Sequence, residues 1–106
     1  MVKRFDIYLY NLDDVPAEEA KNTRPSVVVS PNEINENLAT VIVAPISGGG
    51  ISCPTRIPFD FLGENRFVIV DQLRTVDKSR LVKKIGSLNG PTRERVLRIL
   101  SELFAE

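Results

Sequence analysis

Residues Thr40–Gly50, TVIVAPISGGG, run without transition from a buried-strand pattern into a glycine cluster. Five of the six residues Val41 to Ile46 are apolar, broken only by Pro45, and Val41, Ile42 and Val43 are β-branched in succession. A short apolar run without alternation fits a strand covered on both faces. It stops at Ser47, followed by Gly48, Gly49 and Gly50. A hydroxyl at the end of such a strand stands at a sheet edge or mouth. Glycines beside it permit positive φ, or close approach by another backbone or a ligand. The same residues also suit a plain flexible hairpin loop, and the stretch by itself leaves both readings open.

Upstream of this strand, Pro25–Ser30 (PSVVVS) predicts a short strand, and Pro31–Asn37 a helical turn. Phe5–Leu12 (FDIYLYNL) sets Phe5, Ile7 and Leu9 on one parity and Asp6, Tyr8 and Tyr10 on the other, the period of a half-buried strand. Between the two lies Asn11–Arg24, a polar stretch with Asp13, Asp14, Glu18, Glu19 and Pro16 that reads as a long loop. Loops of that length in small domains are usually functional or mobile. Downstream, Ile57–Leu62 predicts a short strand leading into a turn at Gly63-Glu64-Asn65. Phe67–Val70 (FVIV) is a second fully apolar run, ending in Asp71-Gln72 much as the first ends in Ser47. Thr75–Leu81 has the Asp and Ser spacing of a tight turn or a single helical turn, and Val82–Leu88 reads as a final edge strand with its lysines in water. The period then changes. Pro91 follows Asn89-Gly90, and Val96, Leu97, Ile99, Leu100, Leu103 and Phe104 form an apolar stripe at helical spacing, expected to pack on the sheet. About six strands and one terminal helix predict a β-dominated α+β fold, a small bent sheet or partly open barrel capped by the helix.

The 106 residues make a single domain, 1–106, with one core. At 42% hydrophobic and 26% charged, the composition is that of a soluble globular protein. No apolar run approaches membrane length, and the N-terminus alternates where a signal core would be continuous, so a cytoplasmic protein with no membrane partner is expected. The one cysteine, Cys53, excludes an intramolecular disulfide and a thiolate metal cluster. With no histidine, zinc chemistry and His-based triads are excluded, and neither a metal nor a cofactor is implied. The formal net charge of zero means that any polyanion must be met by a local basic patch.

Three features could converge: Arg24 at the end of the long acidic loop, Ser47 at the end of the central strand, and Asp71, Gln72 and Arg74 at the end of the next buried strand. Arg24 precedes a proline, which holds its backbone extended and gives the side chain a defined direction. A positioned guanidinium suits phosphate, with two parallel hydrogen bonds and stabilisation of the extra charge of a phosphorane. It equally suits a structural salt bridge to Glu18, Glu19 or Asp71, and the residue types do not separate the two.

The segments FDIYLYNL, TRPSVVVS, TVIVAPIS and VDQLRTVDKSRLVKKIG, in this order and spacing, resemble the MazF/PemK/Kid toxins of bacterial toxin–antitoxin systems over nearly the whole chain. The resemblance implies an SH3-like plasmid-maintenance toxin barrel with a C-terminal helix, a homodimer, and a metal-independent endoribonuclease. Its substrate would be single-stranded RNA, mostly mRNA, cut at short sequences, and a cognate antitoxin with a disordered acidic tail would neutralise it. On this likeness Arg24 is the catalytic arginine, and Ser47 stands where many members carry a catalytic threonine. Asp71 matches an acidic active-site position, Glu19 a loop glutamate, and Gln72 and Arg74 positions that line the RNA groove; these three, with Arg56 beside the glycine loop as a base-reading wall, are the expected RNA-binding residues. Two departures from the family pattern are Ile69, where Kid-like members have an arginine, and Phe5, where a glycine is common after the N-terminal arginine. A CcdB-like gyrase poison and an inactive binding relative are the alternative functions.

Overall fold

The computed structural model describes residues 1–12, 22–49 and 53–105. In chain order these form β1 (Asp6–Asn11), β2 (Thr23–Val28), a short helix α1 (Asn32–Asn37), β3 (Thr40–Ser47), β4 (Arg56–Phe61), β5 (Glu64–Ile69), a 3-10 turn at Val70–Gln72, β6 (Arg74–Asp77), a second 3-10 turn at Lys78–Arg80, β7 (Leu81–Ser87) and the C-terminal helix α2 (Gly90–Leu103). The strands make one antiparallel sheet in the order β4-β5-β3-β2-β1-β7, with β6 also paired to β3. This is the expected β-dominated, strongly bent sheet with a terminal helix.

β3 produces the bend. One of its edges pairs with β2, and the other pairs first with β6 (Thr40 to Val43) and then with β5 (Ile46 and Ser47). Ala44 and Pro45 fall in the gap between these two partners on that edge. A proline, with no N–H to donate, is accommodated where a ladder changes partner. As the apolar run predicts, β3 is covered on both faces. Ala44 and Ile46, with Ile42, pack into one core cluster with Ile7, Val27, Val68, Val70 and Val96, while Val41 and Val43 pack into a second with Tyr10, Val28 and Val76.

Several elements differ from expectation for identifiable reasons. β1 is buried on both parities, because it lies between β2 and β7 and its ladder to β7 shifts register twice, between Ile7 and Tyr8 and between Leu9 and Tyr10. Asp6, buried on the polar parity, accepts from the Lys3 amide at 2.9 Å and pairs with Lys84 at 3.3 Å. The turn after β4 is Leu62-Gly63, one residue earlier than expected, closed by the pairing of Phe61 with Glu64. Both turn residues have positive φ, +52° at Leu62 and +79° at Gly63. Thr75, Val76 and Asp77, expected within a turn, belong with Arg74 to β6, because the free edge of β3 offers them a ladder; the turn is confined to Lys78–Arg80, where Asp77 accepts from the Ser79 amide at 3.0 Å.

β7 is an edge strand with exposed lysines, as predicted. The stripe of α2 meets the sheet only in part: Val96 is buried and Ile99 and Leu100 pack against the core, but Leu97 and Leu103 are exposed and Phe104 is 74% exposed. Leu97 lies on the flank of the packed stripe, about 100° round the helix from Val96, and at the helix end Leu103 and Phe104 border a shallow 260 Å³ depression with Val70, Asp71 and Leu73. Among the described residues, no helix is long and apolar enough to cross a membrane.

Phe5 has φ +73°, a conformation that favours glycine, so the departure noted at this position falls where the backbone is left-handed. Its side chain is buried, and the guanidinium groups of Arg4 and Arg93 each lie 5.4 Å from the ring centroid. The Phe5 backbone also joins separate elements, donating to the Val28 carbonyl and accepting from the Leu88 amide.

Candidate active-site groove

The register of the sheet explains how two residues distant in sequence come together. β2 and β3 pair Val28 with Val43 and Ser26 with Pro45. Two residues further in the same register, beyond the last paired residues, stand Arg24 and Ser47. Opposed residues of an antiparallel pair share a face, so the face that carries Val28 and Val43 into the second core cluster continues outward as Ser26 and Pro45 and ends in Arg24 and Ser47. On the other side of β2, Tyr10 is paired with Arg24. The apolar interior thus opens at its end into a groove of about 370 Å³, bordered by Tyr10, Arg24, Pro45, Ser47, Ile69 and Gln72 together with Leu12, Pro25, Ile46, Gly48 and Arg66.

Arg24 is exposed and makes no ion pair with Asp71; Glu18 and Glu19, the other expected partners, lie outside the described residues. The Ser47 hydroxyl donates to the Gly49 carbonyl at 3.1 Å and sits 3.4 Å from the Gly49 amide. The glycine stretch therefore orients this hydroxyl at the groove's rim. Of the remaining expected site residues, Gln72 lines the groove, and Arg74 lies beside it with its guanidinium 6.0 Å from the ring centroid of Tyr10.

Asp71 and Arg56 belong to a neighbouring cluster and do not line the groove. Asp71 accepts from the Thr55 hydroxyl at 3.0 Å and faces Arg56 Nε at 4.0 Å, and the Cys53 thiol lies 3.4 Å from the same hydroxyl. That hydrogen bond, with a smaller contribution from Arg56, lowers the Cys53 thiol below its ordinary pKa. Asp71 lies one residue before Gln72 in a 3-10 turn, whose geometry turns adjacent side chains in different directions. The sequence reading missed Arg66, which lines the groove from β5. Its signal was positional: continuing the pairing of Ile46 with Val68 and Ser47 with Phe67 sets Arg66 opposite Gly48. Among the described residues, no group of three or more His, Cys, Asp or Glu side chains is placed to hold a metal ion.

Solved structures with the same fold include an endoribonuclease in complex with its cognate antitoxin from a mycobacterial species, at TM-score 0.82 and 19% identity over 96% of this chain and 93% of that one. The Mycobacterium tuberculosis toxin MazF-mt6 superposes at TM-score 0.77 with 22% identity, over 93% and 95% of the two chains. A MazE–MazF complex from Deinococcus radiodurans gives TM-score 0.80 and 19% identity over 98% and 95%. At these identities the likeness is one of fold. Family membership rests on the sequence itself, since residues 3–104 match the model of the PemK-like, MazF-like toxins. The chain belongs to the PemK-like, MazF-like toxins of type II toxin–antitoxin systems.

Proposed function

We propose that this protein is a metal-independent endoribonuclease that cleaves single-stranded RNA, chiefly mRNA, at short sequences, and that it acts in the cytoplasm as a homodimeric toxin held in check by an antitoxin. The observation that carries this reading is the meeting of Arg24 and Ser47 across the β2–β3 ladder at the mouth of one groove. In the proposed reaction the nucleophile belongs to the substrate. The ribose 2′-oxygen bonds to the adjacent phosphorus and the bond from phosphorus to the 5′-oxygen breaks. The proton lost by the 2′-hydroxyl is balanced by one gained at the 5′-oxygen, leaving a 2′,3′-cyclic phosphate and a 5′-hydroxyl.

The protein's task is then to hold the phosphate and stabilise its charge. Arg24 supplies a bidentate donor. The Ser47 hydroxyl, which donates to the Gly49 carbonyl, would exchange that acceptor for a phosphate oxygen. Asp71, set on Thr55 and Arg56, is assigned a positioning role toward Arg56 at the edge of the site. Gln72, Arg74, Arg56 and Glu19 contact the flanking nucleotides. Unpaired bases are required because the deep groove of A-form RNA hides base edges from side chains. An acidic, disordered antitoxin segment would fold across the same basic groove and compete with RNA.

The test is a defined RNA incubated with purified protein in EDTA, beside Arg24→Ala. Cleavage with cyclic-phosphate ends by the wild type, and none by a folded Arg24→Ala, is the expected result. RNA left uncut, or cut only on addition of Mg²⁺, would overturn the reading, and inhibition of gyrase in its place would favour the gyrase-poison alternative.

A further inference from the structure

The geometry points to Arg66 as a second phosphate-binding residue of the groove, held in reserve by Glu64 until RNA arrives. This rests on the proposed ribonuclease reading and names a substrate contact that the family likeness does not supply. Arg66 lines the groove from β5, as Arg24 does from β2. Gly48 leaves the space its guanidinium occupies: a Cβ built on Gly48 would lie 2.9 Å from Arg66 Nη1. The Arg66 side chain is half-buried, and its Nε has no hydrogen-bond partner among the described residues. Its Nη2 is paired with the Glu64 carboxylate, which is 65% exposed.

With Nε buried, the edge open to a ligand is the Nη edge now paired with Glu64, and a guanidinium at a groove wall suits an anion with several oxygens such as a phosphate. Glu64 is the acceptor such an anion would displace, and its exposure leaves it free to turn into water. The residue at which Kid-like members carry an arginine is here Ile69, which lines the groove as an apolar wall. Arg66 returns a positive charge to that groove from three residues earlier on the same strand. A phosphate other than the scissile one is the fitting ligand, because Arg24 and Ser47 already converge at the strand ends. Arg66 is thus a binding residue for the RNA backbone.

The experiment measures binding of a short single-stranded RNA to cleavage-deficient Arg24→Ala protein at several salt concentrations, with Arg66→Gln and Glu64→Gln added singly, while cleavage kinetics are taken on otherwise wild-type protein. Loss of one phosphate contact from single-stranded RNA lowers the slope of log K against log salt by about 0.7. Arg66→Gln should show that fall, bind about tenfold more weakly, and raise KM with kcat retained. Glu64→Gln should bind several-fold more tightly, a gain that a merely structural ion pair would not give. An unchanged salt slope in Arg66→Gln, or weaker binding in Glu64→Gln, overturns the assignment while wild-type cleavage still upholds the ribonuclease reading. Failure of the wild type to cleave RNA, with no RNA binding by any variant, overturns both.

Discussion

Replacing Phe5 with glycine sets two opposed effects against each other at one residue. The wild-type backbone holds φ +73° with a Cβ present, a strain of roughly 1–2 kcal/mol that glycine removes. Against this, the ring is only 8% exposed, and truncating a buried phenylalanine costs about 3–5 kcal/mol. The two guanidinium groups at 5.4 Å lose their aromatic partner as well, at roughly 0.5–1 kcal/mol each where solvent reaches them. Packing therefore outweighs strain, and Phe5→Gly should be less stable by about 2–4 kcal/mol. Phe5→Ala loses the same ring but keeps a Cβ at positive φ, so it should fall about 1 kcal/mol below glycine. Urea unfolding followed by far-ultraviolet circular dichroism gives both differences, with the order wild type, glycine, alanine. A glycine variant as stable as the wild type would show that strain dominates. An alanine variant more stable than the glycine one would show that the left-handed backbone imposes no cost.

Ser47→Ala should lower kcat roughly 10²-fold, about 3 kcal/mol of transition-state stabilisation, while Ser47→Thr keeps the hydroxyl and most of the rate; single-turnover cleavage checks this, and an unchanged rate in alanine would reduce Ser47 to a loop residue. Leu62, 78% exposed at φ +52° in a two-residue hairpin turn, should become more favourable as Leu62→Asn, by about 1 kcal/mol, seen as a higher urea midpoint with unchanged slope. Asp77 is held below the ordinary carboxylate range mainly by the Ser79 amide. Because its folded-state pKa is depressed, the stability it contributes is present above the unfolded-state value and is lost as pH falls through the lowered one. Carboxyl-carbon NMR should give an Asp77 midpoint below that of an unstructured aspartate, and a midpoint at or above it would show that the turn does not hold the charge.

The apolar runs made the strands readable because burial on two faces leaves no alternation to misread, and Pro45 fitted once β3 was seen to change partners. The placement of Arg24 and Ser47 at strand ends was legible, since Arg24 precedes a proline that opens an apolar run and Ser47 closes another beside glycines. Arg66 was not, because its relevance depends on facing Gly48 across a ladder that no local pattern reveals. Asp71 and Gln72 are neighbours in sequence, yet the 3-10 turn sends one to Thr55 and Arg56 and the other to the groove. β6 was hidden for a related reason. Its four residues lack a strand pattern of their own and are ordered by the exposed edge of β3. The α2 stripe identified a helix correctly but carried no information on which of its apolar residues the sheet would cover.

The ladder between β1 and β7 joins residues about 80 positions apart, as in the pairing of Ile7 with Gly86, and it contains both register shifts of β1. The ladders from β1 through β3, which bring Arg24 and Ser47 together, close far shorter loops. On an emerging nascent chain, β1 would thus wait with an unpaired edge until nearly the whole polypeptide had left the ribosome. That interval is when β1 can recruit a strand from another copy, and the late seam is where amide hydrogens should exchange first in the finished protein.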